Sequence, residues 1–338
     1  MTMQDGRRGD PREIAQDPGV PAVTRHAAAA AAEIGARMVL LDLGGWLFRI
    51  ERDGRRFTSG AGAVCAFPVN SAAAHSLARD KQHSATILRA DGQPAIPGRL
   101  FFARTDRFAA LRPPGATPAD ALAFAAEIGW PVFCKPNTGS RGDFAERVED
   151  AVALSDYIAR LREEHDGFLV QSCIAGEELR VAVFDGEAVY EVHKAEPALV
   201  GDGARTVAAL LAAENAALAA QGLSPWPGTA LSAPPESVPE AGARVPLSGR
   251  RNLSASGETE EVTDAPDPEA AALAIRAAAA LGLRFAAVDL FDHGPGMGHA
   301  RFTIIELNGN PGMEALERAG RSDIILSLWT RMLEEALA

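Results

Sequence analysis

Two carboxylates and an amide near the end of the chain have the types and spacing of a metal site. Asp289 lies in one apolar run, Glu306 and Asn308 lie in the next, and the Gly/Pro-rich segment HGPGMGHA separates them. If the runs form a β-hairpin about residues 296 and 297, Asp289 comes close to Glu306, while Glu306 and Asn308 point to the same face. Like charges that face each other repel unless something neutralises them. Mg²⁺ suits such an all-oxygen set and retains waters and substrate phosphates as further ligands.

A solvated hairpin face could show the same acidic pattern by chance. The turn sequence GNPG follows Asn308 directly, and its residue types fix a tight turn behind the polar pair. This turn favours the metal site, so we predict that Asp289, Glu306 and Asn308 bind Mg²⁺, with Mn²⁺ as an alternative.

A second candidate is a phosphate-binding loop. Lys135 ends an apolar strand-like run and precedes Pro136, which keeps it extended. The next residues, NTGSRG at 137–142, form a small polar loop that could offer backbone N–H groups to phosphate. Surface loops often have this composition. Neither a Walker loop nor a dinucleotide-binding fingerprint is present in the sequence.

The segment QSCIAGEELR links two predicted strands and carries three polar candidates. Gln171 could face an adenine edge, and Glu178 could accept hydrogen bonds from ribose hydroxyls. Arg180 falls roughly opposite Glu191 if the chain turns at the Asp-Gly pair between them, so a cross-strand ion pair would also explain both residues. Lys194, at the end of the next strand, could hold a phosphate or extend to solvent from the sheet edge.

These residues need strands and helices that bring them together. The sequence predicts helices over 24–36, 70–90, 117–129, 149–164, 206–221, 268–281 and 323–337, and strands over 38–43, 46–51, 130–135, 168–173, 179–184, 187–194, 284–292 and 302–308. Thr117-Pro118-Ala119-Asp120 is a helix start with a capping threonine. Strands mixed with helices, and Asp-Gly hairpin turns at 53–54 and 185–186, indicate the α+β class.

Composition limits the function classes. The chain has 338 residues and a formal net charge of −12, a size for about two compact units. An acidic surface repels phosphate backbones and anionic lipid, so we expect no nucleic-acid partner and no membrane partner. No apolar stretch reaches the roughly 18 residues of a membrane helix. Three cysteines without metal-like spacing, with Cys134 and Cys173 expected to be buried thiols, indicate a cytoplasmic protein.

Seven segments, in a fixed order over about residues 70–338, resemble the ATP-grasp superfamily. They are Asp80-Lys81 with GQPAIP, PVFCKPNTGSRG, FLVQSCIAGEELRV, ALVGDGARTVAALLAAEN, RRNLSASGETEEVTD, AALGLRFAAVDLF and IIELNGNPG. The sequence is most similar to the ATP-grasp part of cyanophycin synthetases and bifunctional glutathione synthetases, and more distantly similar to D-alanine–D-alanine ligases.

The resemblance implies a role for each matching position. The residues that would contact ATP are Lys81, Lys135, Gly139, Ser140 and Gly142 around the phosphates, with Gln171 at the adenine and Glu178 at the ribose. Asp289, Glu306 and Asn308 match the magnesium ligands. The candidate catalytic residues are Lys194, Arg180, Arg251 and Asn252, of which the last two lie in the segment that approaches the acyl acceptor in the cyanophycin-like branch. Ala287 departs from the D-alanine ligases, which carry an arginine there.

The resemblance also implies a fold and a reaction. We expect the ATP-grasp fold, with two α+β subdomains sandwiching ATP and a short N-terminal α/β portion. The expected division is a disordered segment at 1–24, an N-terminal portion at 25–115, a small lid subdomain at 116–195 and a C-terminal subdomain with the metal site at 196–338.

The expected activity is that of an ADP-forming carboxylate–amine ligase. It would join amino acids or a small peptide through an acyl phosphate, and family habit indicates a homodimer. The alternatives are an ATP-binding kinase-like or regulatory module without ligase activity and, less similar, a biotin-carboxylase-like enzyme.

Overall fold

Four antiparallel sheets organise the part of the chain that the structure describes. The computed structural model describes residues 7–62, 64, 66–104, 108–139, 142–194, 197–220, 225–226, 228–247, 261–295 and 300–338. The strands are β1 Arg7–Gly9, β2 Arg37–Leu40, β3 Leu47–Arg52, β4 Arg55–Gly60, β5 Gly98–Phe102, β6 Val132–Pro136, β7 Glu146–Val148, β8 Gly167–Ser172, β9 Glu177–Phe184, β10 Glu187–His193, β11 Ala198–Val200, β12 Arg244–Pro246, β13 Glu261–Thr263, β14 Phe285–Asp292 and β15 Phe302–Asn308. The helices are α1 Pro11–Gln16, α2 Ala22–Glu33, α3 Ala72–Arg79, α4 Lys81–Ala90, α5 Pro118–Ile128, α6 Ala151–Leu161, α7 Val207–Ala220, α8 Pro268–Leu281, α9 Glu314–Arg318 and α10 Ser322–Ala336.

The N-terminal portion is a meander of strands in the order β1-β2-β3-β4. The predicted turn at Asp53-Gly54 is present, with Arg52 opposite Arg55. The expectation that residues 1–24 are disordered is wrong for residues 7–24. There β1 pairs with β2, and α1 begins at an Asp10 side chain that accepts a hydrogen bond from the Arg12 backbone N–H. Residues 1–6 lie outside the described residues.

The central sheet has the strand order β13-β10-β9-β14-β15, with antiparallel neighbours. Successive residues of β9 point to opposite faces. Val181 packs with α8 on one face of the sheet. Ala182 and Phe184 lie on the other face, in a core that they share with the N-terminal portion and with the fully buried Trp329 of α10. Arg180 continues this second face beyond its apolar part, so the charged residues begin where that core ends.

A β-bulge in the β9–β10 hairpin changes one predicted pairing. The turn lies at Asp185-Gly186 as predicted, but the register shifts by one residue between Ala188 and Tyr190. Arg180 therefore lies opposite Val192, and Glu191 lies opposite Val181 on the other face. The cross-strand ion pair between Arg180 and Glu191 is wrong because the extra residue of the bulge turns their side chains to opposite faces.

The outer sheet, with strands in the order β5-β8-β6-β7, carries its own core. Helices α5 and α6 cover one face, where Phe101, Val132, Cys134 and Tyr157 are buried. Helix α5 starts with the predicted Thr117 cap, in a reciprocal capping box with Asp120. The other face of this sheet carries Lys135 and faces the central sheet.

The helix predicted over 70–90, the two predicted buried cysteines and the absence of a membrane helix can be compared with the structure. The helix predicted over 70–90 is two helices, because the Asp80 side chain caps α4 by accepting from the His83 backbone N–H at 2.8 Å. Cys134 is buried as predicted, but Cys173 is exposed because β8 ends at Ser172. Among the described helices, none is long and apolar enough to cross a membrane.

The division at residues 115 and 195 stays a prediction, and strand pairing crosses both positions. β5 pairs with β8 of the outer sheet, whereas β9 and β10 pair within the central sheet with strands from beyond residue 195. The two-stranded sheet β11-β12 packs with α7 around a small separate core that includes Leu199, Leu218 and Val245.

Asn70 joins the start of β14 to the turn after β15, and its removal should destabilise the fold. Its amide nitrogen donates to the carbonyls of Phe285 and Gly309, and its amide oxygen accepts from the N–H groups of Arg284 and Phe285. Leaving these partly buried backbone groups without partners should cost roughly 2–4 kcal/mol of unfolding free energy in Asn70→Ala. The neighbouring Ser71→Ala, which removes only the α3 cap, should cost about 1 kcal/mol. Urea denaturation of both variants tests the difference, and equal losses would contradict it.

Candidate active site

One face of the central sheet gathers the predicted metal ligands. Asp289 of β14 lies directly opposite Glu306 of β15, and Ala287 lies opposite Asn308. The predicted proximity of Asp289 to Glu306 is therefore confirmed. Past this point a bulge shifts the register, so that Leu290 lies opposite Ile304. The three polar side chains share a face, since opposed residues and residues two apart point the same way.

Asp289 is buried and held by two cations. Arg180, its cross-strand neighbour on β9, donates to its two carboxylate oxygens at 2.7 and 3.0 Å, and the Lys194 Nζ lies 3.2 Å from Oδ2. Only 2% of Asp289 is exposed. Burial raises the pKa of this carboxyl group, but Arg180 and Lys194 outweigh it and hold the pKa below its usual range. Asp289 is therefore ionised in the folded protein.

Lys194 is a buried residue of this cluster and does not extend to solvent from the sheet edge. Its Nζ donates to Glu178, and its backbone N–H donates to the Glu178 carbonyl at 2.9 Å. Burial lowers the pKa of Lys194, but Asp289 and Glu178 outweigh this effect and raise it. Burial raises the pKa of Glu178, and Lys194 opposes the shift only in part. Glu178 is thus held inside the site, with one oxygen directed at Lys194.

Glu306 has a more open environment than Asp289. The Nζ atoms of Lys135 and Lys81 lie 3.7 and 3.8 Å from its carboxylate. Within the described residues its side chain makes no hydrogen bond, and a quarter of it is exposed. Burial raises the pKa of Glu306, but the two lysines outweigh it and lower the pKa. Burial lowers the pKa of Lys135, and Glu306 opposes that shift.

The cluster supplies its own charge neutralisation. Three carboxylates, Glu178, Asp289 and Glu306, lie among four cations, Lys81, Lys135, Arg180 and Lys194. The sequence-based reason for a metal, that opposed carboxylates need an external cation, is therefore wrong, because side chains from other strands supply the positive charge. The excess of positive charge instead suits a polyanion such as a nucleotide phosphate chain.

The outer sheet provides the opposite wall of a narrow cavity. The cavity is lined by Lys81, Ser84, Ala85, Leu88, Ala95, Ile96, Lys135, Gln171, Ile304, Ile305 and Glu306. Gln171 is buried, and its Oε1 has no hydrogen-bond partner within the described residues. Gly98 lies opposite Gln171, where a Cβ atom would come within 2.6 Å of the Gln171 Cγ. This arrangement leaves a buried acceptor beside apolar walls, which suits the amino group of a base.

Helix α4 is tied to the loop that follows β6. The Lys81 Nζ donates to the Gly139 carbonyl at 3.0 Å, and the Lys81 backbone N–H donates to the Asn137 carbonyl at 3.1 Å. Asn137 also accepts from the Gln82 N–H through its side chain. Gly139 and Gly142 both have positive φ angles, of 139° and 66°. Gly139 therefore lies beside Lys81, and glycine stands at both positions where the backbone has a positive φ angle.

Three predicted site residues, Ser140, Arg251 and Asn252, lie outside the described residues. Three residues that sequence reasoning missed also shape the site: Gly98, Asn137 and Asn310. Asn310 accepts from the Ala66 N–H and donates to the Val64 carbonyl, which ties the turn after Asn308 to the N-terminal portion. Asn137 could have been found from the sequence, because it follows Lys135-Pro136 at the start of the predicted phosphate loop. Nothing in the sequence around Gly98 indicates that it lies opposite Gln171.

The donor set fits ATP with a divalent cation. An ionised carboxylate has about four lone-pair positions, and Arg180 and Lys194 use three of those of Asp289. Glu306 has no hydrogen bond within the described part of the chain, so its oxygens are available. Carboxylate and amide oxygens are the ligands that Mg²⁺ prefers.

Comparison with known proteins shows what the chain is similar to. No protein-family model matches the chain. It is 28% identical over 255 residues to the glutathione biosynthesis bifunctional protein GshAB of Streptococcus mutans, a match that covers 67% of this chain and 31% of that protein. The crystal structure of a bifunctional glutathione synthetase from Pasteurella multocida aligns with 94% of this chain and 45% of that one, with a TM-score of 0.51 and 16% identity. The chain is similar to bifunctional glutathione synthetases in sequence and in fold. The predicted resemblance to these proteins and the predicted α+β fold are confirmed.

The chain spans only 31% and 26% of the length of the two GshAB proteins of Streptococcus mutans and Enterococcus faecalis that it matches. A further relative is a D-alanine–D-alanine ligase of Streptomyces griseus, 27% identical over 120 residues, which are 34% of this chain and 28% of that ligase. These relatives are named as biosynthetic proteins and ligases, so the kinase-like or regulatory alternative is not favoured.

Proposed function

We propose that this chain is an ATP-dependent, ADP-forming carboxylate–amine ligase that makes a peptide or amide bond. The observation that carries the proposal is the charged cluster described above, in which four cations lie among three carboxylates. Lys81, Lys135 and Glu306 of this cluster also line the cavity at the buried Gln171 oxygen, which has no hydrogen-bond partner within the described residues. The basic residues suit a triphosphate, and the Gln171 oxygen suits the amino group of a base. Family relatives supply the reaction class.

The proposed reaction has two steps. A substrate carboxylate oxygen attacks the γ-phosphorus of ATP, the bond from that phosphorus to the bridging oxygen breaks, and ADP leaves. An amine then attacks the carbonyl carbon of the acyl phosphate, inorganic phosphate leaves, and the amine nitrogen loses a proton. Phosphoryl transfer of this kind depends chiefly on positioning and charge neutralisation.

Each residue of the cluster has a proposed part. Lys81 and Lys135 would hold the phosphates from the outer sheet side, where both already lie within 4 Å of Glu306. Lys194 would keep Glu178 oriented towards the ribose and offset charge near the transferred group. Arg180 would fix Asp289 through its two hydrogen bonds.

Asp289, Glu306 and Asn308 would hold Mg²⁺, which when bound offsets the phosphate charge as a Lewis acid. We propose that Mn²⁺ can replace it. We also propose that the loop with Gly139, Ser140 and Gly142 covers the phosphates, and that Arg251 and Asn252 lie near the amine substrate. The proposed substrates are amino acids or small peptides. The proposed enzyme is a homodimer in the cytoplasm. The domain division at residues 115 and 195 is proposed on the same basis.

ADP release from the full chain tests the proposed function. We expect release with ATP and Mg²⁺ to require a carboxylate substrate and an amine. Hydroxylamine should replace the amine and give a hydroxamate, since it traps an acyl phosphate. With the amine as acceptor, the mass of the product should equal the summed masses of the two substrates minus that of one water. The proposal would be overturned if the γ-phosphate were transferred to a stable phosphoester. It would also be overturned if the rate of ADP release did not depend on the carboxylate substrate.

A further inference from the structure

An exposed apolar surface lies on the N-terminal portion. Nine large apolar side chains are exposed among the described residues, and four of them, Leu43, Trp46, Leu47 and Val64, come from two neighbouring loops and the start of β3. We call these four residues the N-terminal apolar patch. Leu43 is 98% exposed and Trp46 is 56% exposed. Single exposed apolar residues are ordinary, but a grouped set indicates a binding surface.

The four side chains are grouped around glycine backbone. A Cβ atom at Gly60 would lie 3.5 Å from Val64 and 3.7 Å from Leu47, and one at Gly62 would lie 3.5 Å from the Trp46 ring. Leu43 is separated from Trp46 only by two glycines. Val64 and Leu47 therefore flank Gly60, and the Trp46 ring lies against Gly62.

Hydrogen bonds fix this patch beside the proposed metal site. The Asn310 side chain donates to the Val64 carbonyl at 3.2 Å and accepts from the Ala66 N–H at 3.1 Å. The Trp46 carbonyl accepts from the Ala61 N–H at 2.8 Å. Asn310 follows Asn308 by two residues, which is at most about 7 Å of extended chain. Val64 of the patch thus contacts the turn that directly follows the proposed metal ligand Asn308.

We propose that the N-terminal apolar patch binds a large apolar side chain of the amino-acid or peptide substrate. This inference rests on the proposed function and deepens it by naming the substrate class. A reacting carboxylate or amine belongs at the charged cluster, whereas a large apolar side chain of the same substrate needs an apolar surface beside it. Ligand sites commonly pair a few polar groups with apolar walls, and the patch supplies such a wall next to Asn310.

The test compares substrates of matched shape. Leucine and asparagine, and valine and threonine, differ in polarity more than in size, so each pair is offered as free amino acid and as dipeptide in the ADP-release assay. We expect kcat/KM to favour the apolar member by at least about tenfold. Trp46→Ala and Val64→Asp should each raise KM for the apolar substrate by about tenfold, with KM for ATP within twofold. Val152→Ala, an exposed apolar position on α6, is the control and should change neither.

A binding measurement separates this inference from the proposed function. Calorimetric titration of leucine- and asparagine-containing dipeptides onto the full chain, with a non-hydrolysable ATP analogue, needs no turnover. Preferential binding of the leucine peptide that is lost in Trp46→Ala supports the patch even if no ADP is released. Equal binding of both peptides, or binding that Trp46→Ala leaves intact, overturns it. Dissociation of a dimer by Trp46→Ala with unchanged peptide affinity also overturns it, because the patch would then be a subunit interface.

Discussion

Glu306→Gln is expected to lower ADP formation by about a thousandfold or more, because it removes a charged proposed metal ligand without changing the shape of the side chain. The folded state should lose little. Glu306 makes no hydrogen bond within the described residues, and its lysine neighbours are 3.7 and 3.8 Å away. For a partly exposed pair at this distance, the free energy of unfolding should fall by about 1 kcal/mol or less.

Steady-state ADP release and thermal unfolding of the same preparation test this prediction. Glu187→Gln, which makes the same chemical change at an exposed position on β10, should have wild-type values in both assays. A Mg²⁺ titration adds a specific readout, since loss of a metal ligand should raise the Mg²⁺ concentration needed for half-maximal activity. Unchanged turnover and Mg²⁺ dependence would show that Glu306 is not part of the metal site.

The C-terminal hairpin could be predicted from the sequence because its information is local. Two apolar runs with a Gly/Pro-rich loop between them define a centre, and distance from that centre gives the approximate partner of each residue. Next to the loop, Leu290 lies opposite Ile304, a spacing that alone would place Asp289 opposite Ile305. The bulge at Ile305 adds one residue and brings Glu306 opposite Asp289.

The same reasoning failed on the β9–β10 hairpin for a physical reason. A bulge adds one residue to one strand, and neither composition nor alternation marks its position when the strand is apolar on both faces. The sequence VAVFDGEAVYEV gives the turn but leaves the register beyond Ala188 open. The shift of one residue places Glu191 on the other face of the sheet. Arg180 therefore pairs with Asp289.

The charge balance of the site could not be predicted from the sequence. Lys81, Lys135, Arg180 and Lys194 come from four separate parts of the chain, and each has an unremarkable local context. Their proximity follows from the strand order of the central sheet and from the outer sheet facing it. The resemblance to a family named all four as ATP-contacting or catalytic residues, but not as the groups that neutralise Asp289 and Glu306.

Asp289→Asn should destabilise the fold strongly, in contrast to Glu306→Gln. The sequence alone predicts little loss of stability for either, because both residues were assigned to metal binding. In the structure, the Asp289 carboxylate accepts two hydrogen bonds from Arg180 and lies 3.2 Å from the Lys194 Nζ, with only 2% of the residue exposed. Asparagine leaves Arg180 without its counter-ion in a buried setting, which should cost roughly 3–5 kcal/mol of unfolding free energy.

A double-mutant cycle distinguishes a lost ion pair from simple misfit of the amide. Because Arg180→Gln also removes the unpaired charge, Asp289→Asn combined with Arg180→Gln should be more stable than the sum of the two single losses predicts, by about 1–3 kcal/mol. Urea denaturation of the four proteins measures this coupling energy. All three variants should lack ADP-forming activity, so stability and catalysis separate at this position. Additive losses would mean that Arg180 and Asp289 act independently. If Asp289→Asn lost as little stability as Glu306→Gln, the buried pair would not hold the central sheet together.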